Sequence, residues 1–453
     1  MRVSADQALL PSGWASRVIL EIGADGRIAT VADGQAGAAD IHVPVLLPAP
    51  SNLHSHTFQR AMAGLTERRS PAGRDSFWTW RELMYRFLDV LTPDDVEAIA
   101  AFAFAEMLEA GFGSVAEFHY LHHGPDGAPY DDLAELSSRV VSAAAESGIG
   151  LTLLPVHYRQ GGLDGRPLTG GQKRFGNDLD RFLKLAEGAR TLLPRLGPDA
   201  RFGLAPHSLR AVPAADIAAL ERALPDLPFH IHAAEQEAEI AEVEAATGMR
   251  PVDWLLDHCD LSPRWCLIHA THMTETETDR LARSGAVAGL CPVTEANLGD
   301  GIFEGVRFLD AGGRFGVGSD SNIRISAAEE LRQLEYSQRL RHRGRAVLAE
   351  PGGSVGRRLY DGALAGGAQA LGRESGAIRP GAFADLVGLD PARFAGNGQG
   401  DGVLDGWLFT GDGRAVREVW SAGRHVVCGG THVRREAIES RYRAAFEKIL
   451  PRL

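Results

Sequence analysis

Asn52-Leu53-His54-Ser55-His56 closes an apolar run that begins at Val43. Side chains alternate faces along an extended strand, so His54 and His56 point the same way. Two neutral imidazoles side by side at a strand end are half of a divalent metal site. The same five residues also suit a polar turn in which each His makes an ordinary hydrogen bond. The choice between the two depends on whether other segments of the chain end alike.

They do. Apolar strands are expected at Val43–Leu47, Ser114–Phe118, Leu151–Val156, Phe202–Ala205, Phe229–His232, Cys266–His269, Ala286–Leu290 and Phe315–Gly318. Helix-like stretches separate them. One follows a Thr92 cap with Pro93 in the first turn, a second starts at Pro213, and a third, Glu275–Arg283, stops at Ser284-Gly285. Eight buried parallel strands alternating with helices predict an α/β fold, a (β/α)₈ TIM-type barrel. An open doubly wound sheet is the rival. The strand count and the lack of GxGxxG after the first strand favour the barrel.

Residues 1–45 read as short strands, with a hairpin around Asp25-Gly26, and are too few for a core of their own. β-rich runs recur at Ala384–Asp390, Val416–Trp420 and Arg424–Cys428. The chain ends are therefore expected to join in one small β domain (residues 1–45 and 375–430) around a barrel over 46–374, with a closing helix in 431–453.

With 453 residues, 44% hydrophobic and 23% charged, the chain has the make-up of a soluble globular enzyme. A net charge of −12 and no Lys/Arg block argue against a nucleic-acid surface. Four scattered cysteines without a CxxC pair suit a reducing cytosol. No signal peptide or membrane span is apparent, so a cytoplasmic protein is expected. A homodimer, the commonest soluble oligomer, is the default assembly.

In such a barrel chemistry sits at the C-terminal ends of the strands. Those ends carry His54 and His56, then Glu117-Phe-His119-Tyr120, His207-Ser-Leu-Arg210, His230-Ile-His232-Ala-Ala-Glu235, His269-Ala-Thr-His272 and Ser319-Asp320-Ser321. Polar residues converging from six strands are hard to explain as packing. His54, His56, His232 and Asp320 make a reasonable shell for one divalent ion per chain, Zn²⁺ by donor type, although Fe²⁺ accepts the same set. Water held by such an ion ionises near pH ~7. Asp320 or His269 would take its proton, and Glu235 would deliver one to a leaving nitrogen. His230 is placed deeper, as a core histidine, and His272 in a loop.

HxH, H-x-x-E, a later His and a final Asp in this order resemble the amidohydrolase superfamily over nearly the whole chain. The stretch from Gly376 to Asp390 is similar to that family's return to its β domain. Two-metal members carry a lysine after the fourth strand. Leu151–Val156 and Phe202–Leu209 contain none, so the resemblance implies the one-metal deaminase branch. Within it, the segments beginning at Asn52, Asp75, Ala116, His207 and Thr294 resemble members that deiminate N-formimino-L-glutamate in histidine breakdown. By that resemblance, substrate contacts fall on Gln59, Arg81, Tyr120, His207 and Arg210.

A substrate with two carboxylates and a cationic amidine needs local arginines in an acidic protein, because Arg pairs carboxylates in a bidentate fork. By residue type alone, Arg81 also suits a solvated helix face. Trp78 and Trp80 suit core packing or a lid, and Gln59 and Tyr120 suit plain structural hydrogen bonds. Three rivals remain open at this level: deamination of a ring amidine such as guanine, cleavage of the other bond to give formamide and glutamate, and a metal-binding barrel without catalysis.

Overall fold

A computed structural model describes the chain except for residues 34–38, 68, 70–76 and 397 and the side chains of Phe77 and Trp78. In chain order the strands are β1 (Arg2–Leu10), β2 (Gly13–Ile22), β3 (Ile28–Asp33), β4 (Ile41–Pro48), β5 (Ser51–Ser55), β6 (Ser114–His119), β7 (Gly150–His157), β8 (Arg201–Phe202) and β9 (Ala205–Pro206). They continue with β10 (Phe229–Ala233), β11 (Trp265–His269), β12 (Val287–Leu290), β13 (Arg314–Val317), β14 (Leu386–Leu389), β15 (Val416–Ser421), β16 (Arg424–Cys428) and β17 (Thr431–His432).

Every residue of β5, β6, β7, β10, β11 and β12 is buried. Burial on both faces is the signature of a parallel sheet covered by helices. These strands form two all-parallel sheets, β5-β6-β7-β8 with β9 also on β7, and β10-β11-β12-β13. Single parallel bridges link the edges of the two sheets. Ser55 pairs Asp320 on one side, while Leu204 pairs Phe229 and Ser208 pairs His232 on the other. Both seams lie at residues expected to form the site, Asp320 on one side and His232 on the other.

The third sheet has the order β17-β16-β15-β14-β4-β1-β2-β3 and combines the two chain ends. The hairpin at Asp25-Gly26 is its β2–β3 pair. The apolar run Val43–Leu47, expected as the first barrel strand, belongs here: it lies in β4, between β1 and β14. The first strand of the parallel set is β5. Pro48 and Pro50 explain the break, since neither ring nitrogen can donate to a ladder and the chain must change sheets between them. The stretch Phe202–Ala205 is likewise two short pieces, β8 and β9, rather than one strand.

Helix starts follow capping chemistry. Thr92 and Asp95 form a reciprocal box at the head of Pro93–Glu109, and Thr274 and Glu277 do the same for Glu275–Ser284, which ends on a left-handed Gly285. A buried ion network locks the terminal sheet to the rest. Arg373 donates to Asp385 Oδ2 at 2.7 Å and to Asp199 Oδ2 at 3.0 Å, and Arg424 binds the same Asp199 at 2.7 Å. The last helix, Arg435–Ile449, packs on Pro93–Glu109, with Tyr442 stacked on Phe102 at 4.0 Å. Among the described residues no helix is long and apolar enough to cross a membrane.

Candidate active site

The strand ends are knitted together by the backbone before any side chain is considered. Asp320 N–H donates to His54 O at 2.9 Å, and His56 N–H donates to Asp320 O at 3.0 Å. Gly318 permits this approach, because a Cβ there would sit 2.7 Å from His54 N. Asn322 Nδ2 reaches Ser55 Oγ, His56 O and Asp320 O, each at 3.1 Å. His269, Asp320 and Asn322 hold left-handed backbone, with φ of 71°, 44° and 56°. Such conformations cost on the order of 1 kcal/mol each in ordinary residues and persist where surrounding bonds over-determine them.

Three ring nitrogens then converge. His54 Nε2 lies 3.2 Å from His56 Nε2 and 3.1 Å from His232 Nε2. His56 Nδ1 faces Phe118 O and His232 Nδ1 faces His207 O, each at 3.0 Å. A carbonyl only accepts, so both Nδ1 atoms carry the proton and both Nε2 atoms present bare lone pairs. Asp320 Oδ1 is 3.5 Å from His54 Nε2 and 3.3 Å from His56 Nε2. Burial depresses the pKa of all three imidazoles and keeps them neutral. Bare lone pairs in mutual contact beside a carboxylate repel, and a divalent cation among them removes the conflict. The donor set fits Zn²⁺.

The groups expected to transfer protons line the same spot. His269 Nε2 is 3.9 Å from Glu235 Oε1 and 3.9 Å from Asp320 Oδ2. Its Nδ1–H points to Glu295 Oε1 at 3.3 Å. Burial alone would push this imidazole down, but Glu235, Glu295 and Asp320 outweigh it and hold the pKa up at about 10. Burial raises Glu235 above the ordinary carboxylate range. His230 is apart from all of this, bonded to Ala370 O at 2.8 Å, and His272 binds Asp300 O in a loop. His119 is buried beside His122 and does not line the cavity.

Gln59, Arg81, Tyr120, His207 and Arg210 all line one cavity with His56, His232, Glu235, His269 and Asp320. Gln59 donates to the Tyr120 hydroxyl at 2.7 Å. Arg81, on the helix Phe77–Leu88, lies over the Tyr85 ring, and Trp80 joins the wall, whereas the Trp78 side chain lies outside the described residues. Among the described residues, Arg210 and Gln59 each keep a buried polar atom without a hydrogen-bond partner, Gln59 through its Oε1 and Arg210 through its Nε.

Sequence reasoning gave no role to several residues that shape the site. Tyr85 and Tyr158 narrow the cavity, and Thr294 bonds Ser321 at 3.0 Å beside Asp320. Glu117 accepts from both Thr57 N–H and Thr57 Oγ1–H at 2.7 Å, fixing the turn after His56; burial lifts its pKa to about 7. Glu295 orients His269 and also accepts from Cys291 N–H at 2.8 Å. Its position in Thr294-Glu295-Ala296-Asn297 is visible in the sequence, but its role requires knowing that the helix Pro292–Leu298 brings it within reach of His269 at the end of β11. Glu295→Gln is expected to lower kcat about 10–100-fold with KM little changed, the usual cost of loosening an orienting partner. Steady-state kinetics on a variant with unaltered thermal melting would check this.

The chain belongs to the amidohydrolase family: the model described as "Amidohydrolase family" matches residues 45–426. A second model, described as "Formimidoylglutamate deiminase HutF, N-terminal domain", matches residues 2–41. Formimidoylglutamate deiminase from Pseudomonas aeruginosa is 50% identical over 457 residues, covering 100% of this chain and 99% of its own. An amidohydrolase from Brucella melitensis, known from its crystal structure, superposes with a TM-score of 0.95 at 50% identity over 99% of each chain. The fold extends to a zinc-bound adenosine deaminase from Xanthomonas campestris, with a TM-score of 0.81 at 20% identity, covering 99% of this chain and 98% of that one.

Proposed function

We propose that this chain hydrolyses the formimino group of N-formimino-L-glutamate, giving N-formyl-L-glutamate and ammonia as a step of histidine breakdown. The observation that carries the reading is Arg210: a half-buried arginine whose Nε is buried without an acceptor among the described residues, in the wall of the cavity that His56, His232 and Asp320 also line. A guanidinium so placed calls for an anionic partner, and a dicarboxylate supplies one. The full-length similarity to a formimidoylglutamate deiminase supports the same substrate.

In this reading the nine parallel segments make one (β/α)₈ barrel, closed at the two bridged seams, and the terminal sheet is a separate β domain built from both chain ends. His54, His56, His232 and Asp320 hold a single divalent ion, zinc by donor type. That ion supplies Lewis acidity, which makes water nucleophilic near neutral pH. Arg210 and Arg81 bind the substrate carboxylates, and Gln59, Tyr120 and His207 orient the rest. Asp320 would take the proton of the attacking water, and His269, kept protonated by its carboxylate neighbours, would stabilise the negative charge that develops on the oxygen. Glu235 gives a proton to the departing nitrogen as the new C=O forms and the C–N bond breaks. A neutral ring amidine would leave Arg210 unpaired, which disfavours guanine.

The test is an end-point assay on purified protein with N-formimino-L-glutamate. Ammonia with N-formyl-glutamate is expected, lost on chelation and restored by Zn²⁺. Formamide with glutamate would keep the site and move the cleaved bond. No turnover in the metal-loaded protein would overturn the substrate.

A further inference from the structure

Away from the catalytic cavity, the terminal sheet gathers a second set of mixed donors. Glu418 on β15 and His425 and Cys428 on β16 bring a carboxylate, an imidazole and a thiol together, with one ligand atom of each within 4.8 Å of the others. His425 Nε2 is 2.7 Å from Glu418 Oε2, and Cys428 Sγ is 3.4 Å from His425 Nε2.

This grouping is not what a regular strand would give. Residues three apart on a strand point to opposite faces, so His425 and Cys428 should be separated by the sheet. A bulge changes that. Trp420 pairs with His425 but Val419 pairs with Val427, leaving Val426 as an extra residue. Val426 and Val427 are consequently both buried, and the residues on either side, His425 and Cys428, emerge on one face. Bulges commonly re-aim a side chain in this way. The other partners are also held in place. The His425 ring stacks on Trp420 at 4.7 Å, and Gly429 N–H donates to Glu418 Oε1 at 3.0 Å.

We propose that Glu418, His425 and Cys428 form a surface site for a divalent transition metal, Zn²⁺ by its mixed sulfur, nitrogen and oxygen donors, with the fourth position open to solvent. Tetrahedral coordination at ordinary zinc bond lengths separates neighbouring ligand atoms by roughly 3.3–3.6 Å. The sulfur–nitrogen spacing of 3.4 Å is already there, and the Glu418–His425 contact of 2.7 Å needs to open by about 0.6 Å. Binding moves the His425 proton to Nδ1 and releases the thiol proton to solvent, so uptake weakens as pH falls.

The experiment is metal uptake by the intact, metal-loaded protein, comparing wild type with Cys428→Ser and His425→Gln. After equilibration with a modest excess of Zn²⁺ and desalting, wild type should retain one equivalent per chain more than either variant. Added Co²⁺ should give a thiolate-to-cobalt charge-transfer band in wild type and none in Cys428→Ser. Turnover of both variants should equal wild type, which also reports that they fold. Equal zinc content in all three proteins, or a cobalt band that survives in Cys428→Ser, would overturn the site.

Discussion

Glu235→Gln is expected to lower kcat on N-formimino-L-glutamate by about 10²–10⁴-fold, the range general acid–base catalysis contributes, while KM changes less than threefold. The substitution is nearly isosteric. The backbone N–H of residue 235 still donates to Glu239 Oε2, 3.1 Å away, so the loop after β10 keeps its anchor. What is lost is a side chain that can gain a proton and pass it on. Glu235 Oε1 sits 3.9 Å from His269 Nε2 in the wall of the cavity and is not one of the four groups assigned to the metal. Metal content at the catalytic centre should therefore not change, and that measurement separates proton transfer from a mere loss of the ion. Turnover within a few-fold of wild type would remove Glu235 from the proton path and leave His269 and Asp320 to account for it.

How far the sequence reaches is clearest at the strand ends. His54 and His56 share a face because of the two-residue period, and His232 and Asp320 follow from the same placement of chemistry beyond a strand, so local pattern brought these four to one point. The first strand itself was misplaced. Val43–Leu47 is as apolar as a barrel strand, and only pairing shows that its two edges are taken by β1 and β14 in the terminal sheet. Burial is legible in composition; the partner that buries is not. Glu295 shows the same limit at the site, since its bond to His269 crosses 26 residues and two secondary-structure elements. Arg81 was ambiguous for a related reason. An arginine on a helix reads alike whether the helix faces water or a cavity, and here it lines the cavity.

Arg210→Met is expected to raise KM for the dicarboxylate steeply and to lower kcat/KM by roughly 30- to 5,000-fold, the equivalent of about 2–5 kcal/mol for removing one partner of a buried charge pair. Methionine preserves much of the stem volume, so the cavity wall that Arg210 shares with Tyr158 and His207 stays filled. The charge is what disappears. In the free protein burial works against the Arg210 charge and Glu239, Tyr158, Glu235 and Glu242 outweigh it, yet Nε is buried without an acceptor among the described residues, which leaves one donor for a substrate oxygen. A substrate carboxylate that completes its hydrogen bonds gains both the charge-assisted contact and relief of that unsatisfied donor. The effect should sit in KM, because neither carboxylate takes part in the bonds made and broken at the formimino carbon, so both are bound alike before and during reaction. Lysine at 210 should recover only part of the loss, since an ammonium cannot reproduce a two-toothed fork. A monocarboxylate analogue supplies the sharper comparison. Wild type should prefer the dicarboxylate strongly, and the Met variant should lose most of that preference. If the variant discriminates as well as wild type, Arg210 does not bind a carboxylate, and the case for an acidic substrate would rest on Arg81 alone.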